Sequence, residues 1–223
     1  MTVSRIGPPV PSAKPMAFLS DIHGNLEALE AVLAELGRRD VATVYVAGDL
    51  VLGGDAPLEV WRRLVQVGAK CARGLSDTAL ATIDPSSLAP RTDEEKERVE
   101  RFRTTRAALG ELVLEQIRRL PERIRIPLID GREILVVHGS PNDPRQEISH
   151  DMEDDEVRAL VDDDVADIVV CGASHVPFRI DLGETQVVSV GSVGEAPEGR
   201  IAHFAVILPR MDGAEIHQDF VEY

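Results

Sequence analysis

At 223 residues the chain is long enough for one substantial hydrophobic core and short for two independent ones. Its hydrophobic and charged fractions, 43% and 28%, are those of an ordinary globular domain, and with only 4% aromatics the interior falls to Val, Leu, Ile and Ala. A formal charge of -15 argues against a nucleic-acid partner or an anionic membrane surface, so an anionic ligand has to be drawn in by a cation placed locally.

Residues 1–14 carry Pro8, Pro9 and Pro11 and read as a flexible tail before a single domain over 15–223. The tail has no apolar run of signal-peptide length, and no stretch approaches the ~20 apolar residues of a membrane helix, so the expected location is cytoplasmic. Residues 16–20 (MAFLS) predict a buried strand. The loop 21–25 ends on Asn25, a good helix N-cap, and Leu26, Leu29, Leu33 and Leu36 follow at helical spacing up to Gly37. A second strand over 41–47 stops at Gly48-Asp49, a helix covers 58–67, and 69–72 is a brief third strand. This alternation predicts a parallel sheet covered by helices.

Residues 93–120 are charged, yet Val99, Phe102, Leu109, Leu112 and Ile117 recur among them. They predict two helices, or one broken near Gly110, where a cap over a site would lie. The second half turns β-rich. Strands at 124–128 and 133–137 flank the turn signal Asp130-Gly131, an acidic helix covers 151–164, and strands follow at 168–171, 179–181, 186–190, 201–208 and 214–221. Cys71 and Cys171 each end an apolar run and read as buried free thiols. The expected class is α/β with two facing sheets and helices outside.

Polar residues able to bind a metal recur at strand C-termini, where ligands bind in open α/β sheets. Asp21 and His23 follow the first strand, Asp49 the second, Ser76 and Asp77 the third, while His138 and Ser174-His175 follow the runs 134–137 and 168–171. Mixed carboxylate and imidazole donors suit Mn, Fe, Zn or Ni better than an all-oxygen Mg or Ca site. Such an ion activates water near neutral pH and neutralises phosphate oxygens. His150, His203 and His217 lie outside this pattern and read as structural or surface residues; Asp77 reads as a helix cap.

The segment Ser20-Asp21-Ile22-His23-Gly24-Asn25 resembles the D-x-H-G-N motif of the calcineurin-like metallophosphoesterases. Gly48-Asp49 with Gly53 resembles their second motif. Val136-Val137-His138-Gly139-Ser140-Pro141 and Gly191-Ser192-Val193-Gly194 resemble later motifs of the small bacterial YfcE-type phosphodiesterases. The ordered set spans residues 16 to 194. The resemblance implies a four-layer α/β/β/α sandwich, phosphoester hydrolysis, and a first metal at Asp21, His23, Asp49 and His175, with Asp49 bridging to a second.

The chain departs from that family at the second metal. The motif G-N-H-D/E appears as Gly74-Leu75-Ser76-Asp77, and G-H-x-H as Gly172-Ala173-Ser174-His175. Leu75 and Ala173 thus replace two metal ligands, and Ser76 stands where the family has its catalytic His. Asp49 and His138 remain as a weak second site, which Ser174, Asn142 or substrate oxygens would have to complete. One metal per chain is expected rather than two. Arg73 and Ser76 are the candidate substrate-binding residues, and a small phosphate-containing molecule is the expected ligand. Two readings follow: a weakened phosphomono- or diesterase, or a catalytically inactive homologue that binds a ligand or partner.

Overall fold

The computed structural model describes residues 12–162 and 166–223. Two five-stranded mixed sheets face each other. The first, in the order β10-β9-β1-β2-β3, contains β1 (Met16–Leu19), β2 (Thr43–Val46), β3 (Lys70–Cys71), β9 (Ile201–Arg210) and β10 (Gly213–Glu222). The second, β4-β5-β6-β8-β7, contains β4 (Arg123–Pro127), β5 (Glu133–Val137), β6 (Ile168–Cys171), β7 (Pro177–Asp181) and β8 (Gln186–Val190). β1, β2 and β3 run parallel, as do β5, β6 and β8, and the antiparallel strands complete the sheets around them.

The period-two alternation of strand side chains makes the layers. Met16 and Phe18 of β1 point between the sheets, where they meet Ile134, Val136, Val170 and Val188. Ala17 and Leu19, on the other face, pack beneath α1 (Leu26–Leu36), α2 (Pro57–Gln66), α3 (Leu75–Thr82) and α4 (Asp93–Arg118). On the far side, Leu135, Val137, Val169 and Cys171 pack against α5 (Asp154–Val161). The result is the α/β/β/α sandwich. Asn25 caps α1 through a hydrogen bond from the Ala28 N–H, 3.1 Å.

Several expectations need adjustment. The tail expected over 1–14 lies outside the described residues as far as residue 11, but Ser12 is tied down: its N–H, which a proline would lack, donates to the Pro127 carbonyl at 2.9 Å. The third strand shrinks to two residues, and α3 follows at once. The acidic helix keeps only Asp154–Val161, and residues 163–165 lie outside the described set. Both thiols are free and buried, and burial pushes each up to about 12. Among the described residues no helix is long and apolar enough to cross a membrane.

Candidate metal centre

The loops after β1, β2, β5 and β6 meet at one end of the sandwich and are laced together by their backbones. Asp21 N–H donates to the Gly48 carbonyl at 3.0 Å, His23 N–H to Asp49 at 3.0 Å, and Gly24 N–H to Leu50 at 3.1 Å. The stretch 191–194 braces the same loop: Val193 and Gly194 N–H donate to Ser20 and Asp21 at 3.0 and 2.9 Å, and the Ser192 hydroxyl to Asp21 at 2.8 Å. This packing is tight enough to require glycine. A Cβ on Gly74 would lie 2.1 Å from Asp49 Oδ1, and one on Gly172 would lie 1.9 Å from Ser20 Oγ. Both altered motifs have therefore kept their glycines for the sake of the fold.

The backbone is strained where the ligand candidates sit. Among the described residues six non-glycines have positive φ, and five of them are Asp21, His23, Asp49, Ala173 and His175, at 49–64°. Each such residue costs of order 1–3 kcal/mol and persists because the surroundings dictate it. That cost turns four candidate ligands toward a common point.

Three imidazoles reach that point with their protons already placed. His23 Nδ1 donates to the Leu52 carbonyl at 2.7 Å, His138 Nδ1 to Ala47 at 3.1 Å, and His175 Nδ1 to Glu195 at 3.1 Å. A carbonyl only accepts, so each Nδ1 carries hydrogen and each Nε2 is turned to the interior of the site. His23 Nε2 lies 3.3 Å from His175 Nε2 and 3.5 Å from Asp21 Oδ1, and His175 Nε2 lies 3.1 Å from the same oxygen. Asp49 stands between the rings, Oδ2 4.0 Å from His23 Nε2 and Oδ1 3.4 Å from His138 Nε2.

Two overlapping groups result, Asp21-His23-His175 and Asp21-Asp49-His138, each with donor atoms within 4.8 Å of one another. Asp21 thus also reaches the second position, where the sequence pattern left only Asp49 and His138. Asp21 Oδ1 is buried and, while the Nε2 atoms facing it carry no hydrogen, has no hydrogen-bond partner. Imidazole nitrogens and carboxylates facing one another around an orphaned carboxylate oxygen fit a divalent transition ion.

Without an ion, protons take its place. Burial by itself would lower His23, but the hydrogen bond and charge of Asp21, with Glu195 and Asp49, raise it to about 9. Burial would raise Asp21, yet its bonds to His175 and His23 and the charges of His138 and His175 hold it well below the usual carboxylate range. His175 is raised chiefly by its bond to Asp21.

The remaining candidates divide. Ser76 lies beside the centre, its N–H donating to Asp49 Oδ1 at 2.9 Å and its buried hydroxyl without a partner. Arg73 is turned elsewhere: its guanidinium donates to the Arg118 carbonyl at 2.6 Å and to Glu122 at 2.7 Å, and it lines a separate cavity with Leu75 and Asn142. Its place at the end of β3 suggested substrate contact, but its length carries the charge to the end of α4. Leu75 is half-exposed. The Ser174 hydroxyl bonds Ser189 at 3.1 Å; the Asn142 amide N–H donates to Ala159 at 2.9 Å, its carbonyl oxygen is buried without a partner, and the residue lines the separate cavity with Arg73. His150 lies against Phe178, His203 is buried beside Gly191, and His217 is exposed on β10.

Glu195 is the residue that sequence reasoning missed. Its carboxylate reaches within 3.8 Å of His23 Nε2, and its carbonyl orients His175. Its only sequence signal is its place directly after Gly191-Ser192-Val193-Gly194.

Comparison with known proteins agrees with this architecture. An uncharacterized protein of Methanocaldococcus jannaschii is 26% identical, over 82% of this chain and 78% of its own length. The crystal structure of a hypothetical protein from Pyrococcus horikoshii superposes with a TM-score of 0.80 at 25% identity, covering 94% of this chain and 88% of that one. A metallophosphoesterase from Sphaerobacter thermophilus shares the fold with a TM-score of 0.74 at 24% identity, covering 95% and 89%. The family model described as the calcineurin-like phosphoesterase superfamily domain matches residues 15–210. With the model spanning nearly the whole described domain, the chain belongs to the calcineurin-like phosphoesterase superfamily.

Proposed function

We propose that this chain is a metal-dependent phosphoester hydrolase built on one well-held divalent transition metal. Asp21, His23, Asp49 and His175 would hold the ion. If Asp21 and Asp49 serve the first ion, His138 is the only other donor at the second position, so a single ion per chain is expected. The observation that carries this is the fixing of three imidazoles by the carbonyls of Leu52, Ala47 and Glu195, which leaves three Nε2 atoms facing buried carboxylates. When bound, the ion supplies Lewis-acid chemistry toward phosphate and water. The chain's own groups orient the ester: the unpartnered Ser76 hydroxyl is placed to donate to a phosphate oxygen. A serine is too weak an acid to protonate a leaving group near neutral pH, so turnover loses the roughly 10²–10⁴-fold that general acid catalysis contributes. The expected ligand is a small phosphate mono- or diester. Asp49→Asn should lower both metal content and turnover, and failure to retain Mn, Fe, Zn or Ni after reloading would remove the proposal.

A second reading is favoured by Leu75 and Ala173, which replace two of the family's second-metal ligands, and by Ser76, which stands where the family has its catalytic His. In it the chain keeps the fold to bind a ligand or partner without turnover. Retained metal with no hydrolysis of simple esters in the presence of Mn supports that reading. Turnover that Asp21→Ala abolishes excludes it.

A further inference from the structure

A cavity of about 390 Å³ opens off the metal centre, sharing His23, Ser76 and Glu195 with it. Its size is that of a small-ligand pocket. Beyond those three residues the wall turns apolar: Leu52 comes from the loop after β2, Ile83 from the end of α3, and Val99 and Phe102 from α4. The side chain at position 76 lines both this cavity and the edge of the metal centre. As a serine it is small, and a ring there would take up part of the cavity. Arg98 and Arg101 also line the cavity and form no ion pair among the described residues, so that even with Glu195 on the lining and Glu95 near Arg98 two guanidiniums face it on a chain whose formal charge is -15.

We infer that this cavity receives the organic group of the ester, and that the substrates are phosphate esters with an apolar, ring-sized substituent rather than sugar phosphates. The inference rests on the phosphoester proposal above. Water in an apolar recess makes few hydrogen bonds, so an apolar group that displaces it gains affinity, whereas a sugar hydroxyl placed there loses its partners. Because the cavity shares His23, Ser76 and Glu195 with the metal centre, a group held there lies next to the phosphoryl position. The two guanidiniums complement the anionic ester as it enters.

The test compares phenylphosphonate and methylphosphonate, which share the anion and differ in the organic group, by calorimetry on the full chain loaded with Mn. Phenylphosphonate is expected to bind at least about tenfold more tightly, since burying a phenyl ring contributes that much or more. It should shift the methyl NMR signals of Ile83 and Val99, while methylphosphonate leaves them in place. Ile83→Asn and Val99→Asn should each reduce the preference below roughly threefold. Ile83 is 37% exposed, so its substitution leaves the core intact and keeps the test independent of folding. Equal affinities in the unaltered protein, or a preference that survives both substitutions, would overturn the cavity assignment and leave the phosphoester proposal standing. Binding of neither anion to the loaded protein would overturn both.

Discussion

The Asp77 carboxylate accepts hydrogen bonds from the backbone N–H groups of Asp49, Leu50 and Gly74, at 2.9, 3.0 and 2.9 Å. One fully buried side chain therefore fixes both the loop that carries Asp49 and the turn into α3. Burial and the charge of Asp49 push it up to about 7, against the pull of the backbone donors and His138. Asp77→Ala leaves three buried donors without partners. At about 1–3 kcal/mol for each, a loss of roughly 3 kcal/mol or more is expected. Urea unfolding measures it, and metal content should fall in parallel because Asp49 loses its anchor; unchanged values of both would show that the bracing is unimportant. This residue also bears on what the sequence could reveal. The identity of Asp21, His23, Asp49, His138 and His175 as a group was legible from their shared position at strand ends. Their positive φ values and the carbonyl that locks each ring were not, because these arise from loops far apart in the chain packing on each other.

At the scale of elements, α4 acts as a clamp on α3. Arg106 donates to the carbonyls of Leu80 and Ile83, and Arg118 to that of Ala81, filling acceptors that the short helix leaves open at its C-terminal end. The break in α4 was legible in the sequence as Gly110. The structure gives it φ 71° and ψ 164°, a backbone region open essentially to glycine alone. A Cβ there meets nothing within 4 Å, so Gly110→Ala tests backbone strain without steric overlap. It should destabilise by about 1–3 kcal/mol in urea unfolding. Gly37, at φ -61° and ψ -21°, is the control: Gly37→Ala should be neutral or stabilising by up to about 1 kcal/mol. Equal effects at both sites would locate the cost in the loss of glycine rather than in the kink. Of α3 only the start was legible, in Asp77 read as a helix cap; its extent was not. It is eight residues long, and the side chains at and just past its ends, Leu75 and Ile83, are exposed, so no apolar stripe announces it.

Across the whole molecule, the candidate ligands come from both sheets: Asp21, His23 and Asp49 from the ends of β1 and β2, His138 and His175 from the ends of β5 and β6. The two-sheet arrangement followed from strand alternation in the sequence, but which strand ends face each other depended on pairing orders that the sequence does not spell out. An ion at this point joins the sheets beyond what their apolar contact achieves, and stabilises the fold by mass action, about 2.7 kcal/mol at a hundredfold excess over Kd. Mn loading should therefore raise the unfolding temperature, and His175→Ala, which removes a donor from the second sheet at a partly exposed position, should abolish most of the rise. The pH dependence has a definite sign. Metal-free His23 is raised from 6.5 to about 9, so its pairing with Asp21 stabilises the empty fold fully below pH 6.5 and is lost as pH climbs through 9. Binding an ion at Nε2 displaces that proton, and the displacement costs most at low pH. The Mn-induced rise should grow between pH 6.5 and 9; a constant or shrinking increment would mean that the ion binds without engaging His23.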